Sequence, residues 1–517
     1  MYIFSTEHIR EWDEYTIQHE PIKSIDLMER AALACVSFVT QYINHTTPFV
    51  IICGKGNNGG DGLAMARLLI QRRYKVHVIL IHYSPNITPD CAINLERLEK
   101  EFPSVVQHIH EASDLKQIVP DKQALLIDAL FGTGLNKPVD GLAATAIEWM
   151  NTAGSGIISI DIPSGLYADR SSSENKYIVK SGHVLTFQTA KLAFLMAENA
   201  AYAPRFDVLD IGLHPAFTAQ VKSPFTFLQA DDVRIHMELR KRFSHKGSYG
   251  HALLMGGSKG KSGAILLAAK ACLRSGAGLL TVHSCRESIQ ALHIGLPEAM
   301  TSEDPYDAIG ELPKTDRYTA IGVGPGLGTE DDTERVLKAL IQNSTQTLVF
   351  DADAINILAE NKTWLSFIPP RCIFTPHVKE FDRLTETHTS DFDRLKTAIA
   401  FCRKHEQIMV LKGAYSAIIT PEGKVYFNST GNPALAKGGS GDVLTGMITA
   451  LSARHYTSEL ACVVGVYIHG LAAELCTQTM SMESVLASDI IYHIAQAFKL
   501  MEPAEPFADS KQSENDL

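Results

Sequence analysis

The chain has 517 residues, more than one ordinary hydrophobic core holds, so at least two domains are expected. Hydrophobic residues make up 45% and charged residues 20%, with a formal net charge of −11, which argues against nucleic acid or an anionic membrane as the main partner. Nine scattered cysteines without a C-x-x-C pair indicate a reduced compartment with neither disulfides nor a cysteine-built zinc site. The opening MYIFSTEHIREWDEY lacks the order of a secretory signal, and no apolar run approaches the roughly 20 residues a membrane helix needs, so a cytoplasmic enzyme is the expectation.

Short apolar runs rich in Val and Ile predict strands at 48–54, 75–82, 123–130, 156–162, 183–187 and 206–213, with helical patterns between them. Continuously apolar strands alternating with helices imply an α/β domain, a parallel sheet covered on both faces, over residues 1–220. The alternation pauses across 214–245, which puts a boundary near 225. It restarts with strands at 251–257, 278–284, 318–324, 347–353, 372–376 and 408–413 and a hairpin over 416–427. Mostly helical sequence follows. A second α/β domain is therefore expected over 225–500, with a polar, disordered tail over 501–517.

The turn after the first strand reads GKGNNGGDG, and Gly54, Gly56 and Gly59 spell G-x-G-x-x-G. A dinucleotide fingerprint also needs an acid about 20 residues on, at the end of the second strand. His82 and Tyr83 stand there instead. Asn57, Asn58 and Asp61 crowd the loop with oxygens suited to a cation and a polar ligand. Two further strand ends carry similar chemistry: Asp128 before FGTGLNKP, and Asp161 before Pro163, Ser164 and Gly165. Ligands of open parallel sheets bind at the carboxyl ends of the strands, so these three turns form one candidate site.

GNNGGDG, DALFGTG and DIPSGL, preceded by LMERAA, resemble the N-terminal domain of the YjeF family, a Rossmann-like three-layer αβα fold acting as an NAD(P)H-hydrate epimerase. The resemblance implies K⁺ held by Asn58, Asp128 and Ser164. It implies substrate contacts by Asn57, Asn58, Gly59, Gly60 and Asp61, by Gly132, Thr133, Gly134, Leu135, Asn136, Lys137 and Pro138, and by Asp161. Asp161, in a water-poor setting, is expected to have a raised pKa and to act as acid and base on the substrate.

In the second half, NPALAKGGSGDVLTG is the most informative stretch. Gly438, Gly439, Ser440 and Gly441 form a loop, Asp442 follows, and an apolar helix begins. Backbone N–H groups there make an anion hole, and Asp442 is placed to take a proton from a hydroxyl. Asp at a helix start is often only a cap, but caps do not need four small residues in a row. His377 is evenly balanced between a structural histidine and a ligand, and QHIH at 107–110 reads as a solvated strand face.

G-G-S-G-D before an apolar helix resembles the ribokinase-like superfamily. With GGSKGKSGA, GPGLG, TPHVKEFDRL and LKGAYS, the match narrows to the ADP-dependent NAD(P)H-hydrate dehydratases. This resemblance implies that Ala264, Gly326, His377 and Asp442 contact the hydrated dinucleotide. Lys412, Gly413, Ala414, Tyr415, Ser416 and Gly441 would hold the adenine nucleotide, with Mg²⁺ at its phosphates. Asp442 would then be catalytic here, as Asp161 would be in the first domain. Together the two halves resemble the bifunctional NAD(P)H-hydrate repair enzymes. The implied substrates are NADHX, NADPHX and ADP, and the implied assembly is a homo-oligomer, a tetramer or higher.

Several positions depart from the family pattern. Lys55-Gly56 and Val378-Lys379 each replace a frequent Pro-Gly, and Lys437 adds a charge expected to lie beside the phosphate loop. The alternative reading is a small-molecule kinase with an accessory N-terminal binding domain. ADP against ATP and NADHX against NADPHX stay open.

Overall fold

The computed structural model describes residues 1–119, 121–154 and 156–503, so most of the expected tail lies outside the described residues. The chain forms two compact units, one built on Met1–Ser223 and the other on Pro224–Thr389 and the residues from Asp393 on.

The first unit contains seven strands: β1 Phe49–Cys53, β2 Val76–Ile81, β3 Val106–Ile109, β4 Leu125–Ala129, β5 Ile157–Ile160, β6 His183–Phe187 and β7 Phe206–Leu209. They pair in the order β3-β2-β1-β4-β5-β6-β7, and every pairing is parallel. Pleating sends Ile51 and Cys53 into one apolar core and Ile52 into the other, which is why β1 reads as an unbroken apolar run. Helices Ser24–Tyr42 and Asn57–Gln71 cover the first face and Gly141–Thr152 the second. The strand order reverses direction between β1 and β4, the crevice where such sheets bind ligands.

The second unit holds β8 Phe225–Phe227, β9 His251–Met255, β10 Leu279–Cys285, β11 Met300–Asp304 and β12 Ala320–Val323. It continues with β13 Thr347–Phe350, β14 Ile373–Phe374, β15 Ile408–Leu411, β16 Ala417–Ile419 and β17 Val425–Phe427. The sheet order is β11-β10-β9-β12-β13-β14-β15-β16-β17-β8, with its switch point between β9 and β12. Only β16 runs antiparallel to its neighbours. Helices Ser440–Ala453, Ser458–Thr477 and Ala487–Met501 share one apolar core with Val349, Ile373, Ile408, Val410 and Ile418 of the sheet.

Two strands were absent from the expected set, β8 and β11, while β3 forms at the QHIH stretch read as a strand face. β8 and a short helix, Ala230–Arg234, occupy the stretch read as a pause. The membrane-length reading is also corrected. Helix Ser458–Thr477 has 20 residues and a mean hydropathy of 1.6, long and apolar enough to span a bilayer, but 78% of its most apolar window is buried inside the unit. All nine cysteines are buried free thiols.

Candidate active sites

In the first unit the site grows from three strand-to-helix turns. Gly54 and Gly59 close the first turn so tightly that a Cβ on Gly59 would stand 2.0 Å from the Gly54 carbonyl oxygen. This sets Asn58 in the first turn of helix Asn57–Gln71. Its Nδ2 donates to the Phe131 carbonyl at 2.9 Å, while its Oδ1 is buried and has no partner. Asp128, at the end of β4, is fully buried and accepts from Ser164 Oγ at 2.5 Å, Ser164 N at 2.8 Å and Ser159 Oγ at 2.8 Å. Burial pushes its carboxyl up, against those hydrogen bonds. Ser164 Oγ in turn accepts from Phe131 N at 2.8 Å. Asn58, Asp128 and Ser164 thus meet around the Phe131 backbone, with an orphaned oxygen among them.

A Cβ on Gly132 would lie 3.2 Å from Asn58 Cβ and 3.5 Å from Asp161 Oδ2, so the second turn joins the first and third. Gly132, Thr133 and Leu135 are half-buried, whereas Gly134, Asn136, Lys137 and Pro138 form an exposed rim. Gly59 and Gly60 are buried, Asp61 is half-buried and Asn57 is exposed.

Asp161 follows β5 with φ of +66°, a left-handed conformation that Asp tolerates better than most residues. The expected water-poor acid has a close cation: Lys191, 1% exposed, places Nζ 3.0 Å from Asp161 Oδ1. The same amino group donates to Thr186 Oγ1, Phe187 O and Thr189 O at 2.9, 3.1 and 3.3 Å. Burial with the Asp161 charge nearby raises two neighbouring carboxyls, Asp13 to about 7 and Asp61 well above its ordinary range. Lys191 and Asp13 were not singled out from sequence, since neither lies in a glycine-rich turn.

In the second unit, Gly256 and Gly257 end β9, and the 324–328 loop ends β12 beside them at the switch point. Gly257 N donates to Pro325 O at 2.9 Å and Ser258 N to Gly326 O at 2.7 Å. Gly326 has φ of +58°, and a Cβ there would lie 3.4 Å from that of Ala264. The two expected substrate contacts are therefore neighbours.

Asp442 sits in the first turn of helix Ser440–Ala453, behind Gly439 with φ of +94°. Burial, then Asp351, push its carboxyl up to about 7, against the pull of Lys412. Lys412 leaves β15 and binds Asp351 Oδ1 at 2.9 Å. Burial opposes its charge, but Asp351, Glu380 and Asp442 outweigh burial and raise its pKa. A Cβ on Gly441 would stand 3.4 Å from Lys412 Nζ, so the two expected halves of the nucleotide site meet. Beyond Lys412, Gly413 and Ala414 are exposed and Tyr415 and Ser416 half-buried.

Asp351 is the hub that sequence reading passed over. It is 2% exposed and also accepts from Thr375 Oγ1 at 2.9 Å and Thr445 Oγ1 at 2.7 Å. Its position after β13 was visible, but its role depends on tertiary convergence. His377 has a structural role, and its ring also stays accessible. Its Nδ1 caps helix Val378–Leu384 by accepting from Lys379 N and Glu380 N, and its ring is half exposed, with Nε2 3.4 Å from Glu380 Oε1. Lys437, next to Gly438, donates its amino group to the Glu483 carbonyl.

The fold and these turns define a two-site α/β enzyme, with polar strand ends converging in one unit and an acid at a glycine-rich helix start in the other. The family described as YjeF-related protein N-terminus matches residues 24–193, and that described as NAD(P)H-hydrate dehydratase matches 252–496. A bifunctional NAD(P)H-hydrate repair enzyme of Moorella thermoacetica is 33% identical over 97% of both chains. That of Escherichia coli is 28% identical over 90% of this chain and 88% of its own. A solved ADP/ATP-dependent NAD(P)H-hydrate dehydratase from Bacillus subtilis, co-crystallised with ATP/Mg²⁺, is 33% identical over 54% of this chain and 99% of its own, with a TM-score of 0.47. The chain belongs to the family of bifunctional NAD(P)H-hydrate repair enzymes.

Proposed function

We infer that the chain repairs hydrated nicotinamide dinucleotides. The first unit interconverts the R and S forms of NAD(P)HX, and the second dehydrates the S form to NAD(P)H at the expense of ADP. The observation that carries this reading is the coexistence, in one chain of this family, of the Asn58–Asp128–Asp161 pocket and the Asp442 phosphate loop.

In the second unit, Asp442 takes the proton of the C6 hydroxyl as a phosphoryl group passes to that oxygen. N–H groups at the start of helix Ser440–Ala453 and the Lys412 ammonium stabilise the charge in transfer. Phosphate is a far better leaving group than hydroxide, and its departure from C6 together with loss of a C5 proton restores the ring's double bond. Mg²⁺ would supply charge neutralisation at the phosphates. No group of three or more His, Cys, Asp or Glu side chains among the described residues is arranged to hold a metal, so phosphate oxygens would complete its shell.

K⁺ suits the first unit: Asn58 Oδ1 is a buried oxygen in need of a partner, beside Asp128 and Ser164. A cytoplasmic setting and a homo-oligomer accompany this reading.

The test supplies mixed R and S hydrate, Mg²⁺, K⁺ and ADP or ATP to the purified chain and follows reduced-nicotinamide absorbance. Complete conversion is expected. Asp161→Asn should stop at the S fraction, and Asp442→Asn should form no product while still equilibrating the epimers. A stable phosphoester in place of NAD(P)H would show a kinase instead.

A further inference from the structure

The first helix, Thr6–His19, precedes the family match yet faces the pocket of the first unit. Thr6, Arg10 and Asp13 lie at i, i+4 and i+7 on one of its faces. Thr6 N and Oγ1 donate to Asp169 Oδ2, at 2.8 and 2.9 Å, beyond the Asp161 turn. Nη2 of Arg10 stands 3.4 Å from where a Cβ on Gly134 would sit, against the loop after β4. Trp12 and Thr16, on the other side, anchor the helix. Trp12 Nε1 donates to His214 O and Thr16 Oγ1 accepts from His214 N, both at 2.9 Å. Asp13, on the face shared with Thr6 and Arg10, is thereby held half-buried within electrostatic reach of Asp161 and Lys191.

The buried Lys191 ion-pairs with Asp161 and is felt by Asp13, and Asp61 adds a third carboxyl acted on by both of these acids. Glu14, on the same helix, adds more negative charge. Unpaired charge is costly away from water, so such a cluster retains protons instead of ionising fully. The Asp13 carboxyl, raised to about 7, exchanges its proton near neutrality.

We propose that Asp13 is a second proton-transfer group of the epimerisation site, working with Asp161 across the hydrated ring. This rests on the reading of the first unit as the epimerase. The protonated carboxyl gives its proton to the C6 hydroxyl. The C6–O bond breaks, water leaves, and the N1 lone pair forms an N1=C6 iminium. Water then adds to the other face of C6 as the ionised carboxylate takes its proton. Asp13 gives one proton, Asp161 takes one from the incoming water, and passage of that proton from Asp161 to Asp13 resets the pair, with nothing oxidised or reduced. Two groups serve better than one because proton donation and abstraction fall on opposite faces of the ring.

The experiment uses the full chain with K⁺ and compares wild type, Asp13→Asn and Asp13→Glu. R-to-S conversion is read by separating the epimers as pH is varied. The wild-type rate should bend near pH 7. Asp13→Asn should lose about 100-fold or more in epimerisation kcat, with KM little changed and the bend gone. Asp13→Glu should recover part of the rate with a displaced bend, and dehydration of pure S form should be unchanged throughout. A wild-type rate in Asp13→Asn, or a bend that stays in place in both variants, would overturn the proposal. If Asp13→Asn does not fold, the bend in Asp13→Glu decides alone. A wild-type chain that leaves R untouched would instead overturn the epimerase reading itself.

Discussion

Asp442 is held between opposing pushes: burial and Asp351 favour its neutral form, and Lys412 favours its charge. A base must be ionised to accept a proton, so dehydration of the S form should rise with pH and level off above about 7. Lys412→Met should move that bend upwards, because the lowering influence is gone, and a bend moved downwards would contradict the assignment. The same group shapes stability with the opposite sense. Its folded pKa lies above the ordinary 3.8, so its contribution to stability is present below that value and fades as pH climbs towards about 7. Thermal unfolding of Asp442→Asn against pH should therefore fall less steeply across that window than wild type. At this scale, sequence exposed the residues in glycine-rich turns and hid those whose role comes from convergence. Asn58, Asp128 and Asp442 announced themselves by their neighbours. Lys191 and Asp351 look ordinary until the sheet brings them to their partners.

Helix Ser440–Ala453 approaches helix Ser262–Arg274 closely, and Gly446 allows it. A Cβ there would stand 2.0 Å from the Ala268 carbonyl oxygen, so the backbones themselves would have to part. Gly446→Ala should destabilise the second unit by about 3 kcal/mol and depress dehydration, while epimerisation is preserved. Calorimetry and the two separate assays check this. The same scale shows why some elements were missed. β8 and β11 lie at sheet edges and are largely half-buried or exposed, so they lack the continuous apolar run that marked β1 or β9. Helix Ser458–Thr477 was missed as a long apolar element because Glu459, Tyr467, His469 and two glycines punctuate it. Buried helices tolerate such residues where neighbours satisfy them, whereas a count of consecutive apolar letters does not.

Across the whole molecule, the proposed K⁺ site and the proposed Mg²⁺-nucleotide site fall in two separate units. Replacing K⁺ by tetramethylammonium should stop epimerisation and spare dehydration, so a mixed hydrate should convert only to its S fraction. An equal loss of both rates would contradict the division of labour. The late helices carry a further consequence for biosynthesis. Residues 440–501 provide the cover for one face of β13 to β16, through a core shared by all three helices. While the ribosome is still translating them, Val349, Ile373, Val410 and Ile418 have no apolar partner there, and the nascent second unit presents a bare sheet to the cell. The first unit, all but three residues of which lie within Met1–Ser223, folds long before. Chaperone demand and premature-termination damage should therefore fall on the dehydratase half, which would leave cells with an epimerase and nothing downstream to consume its product.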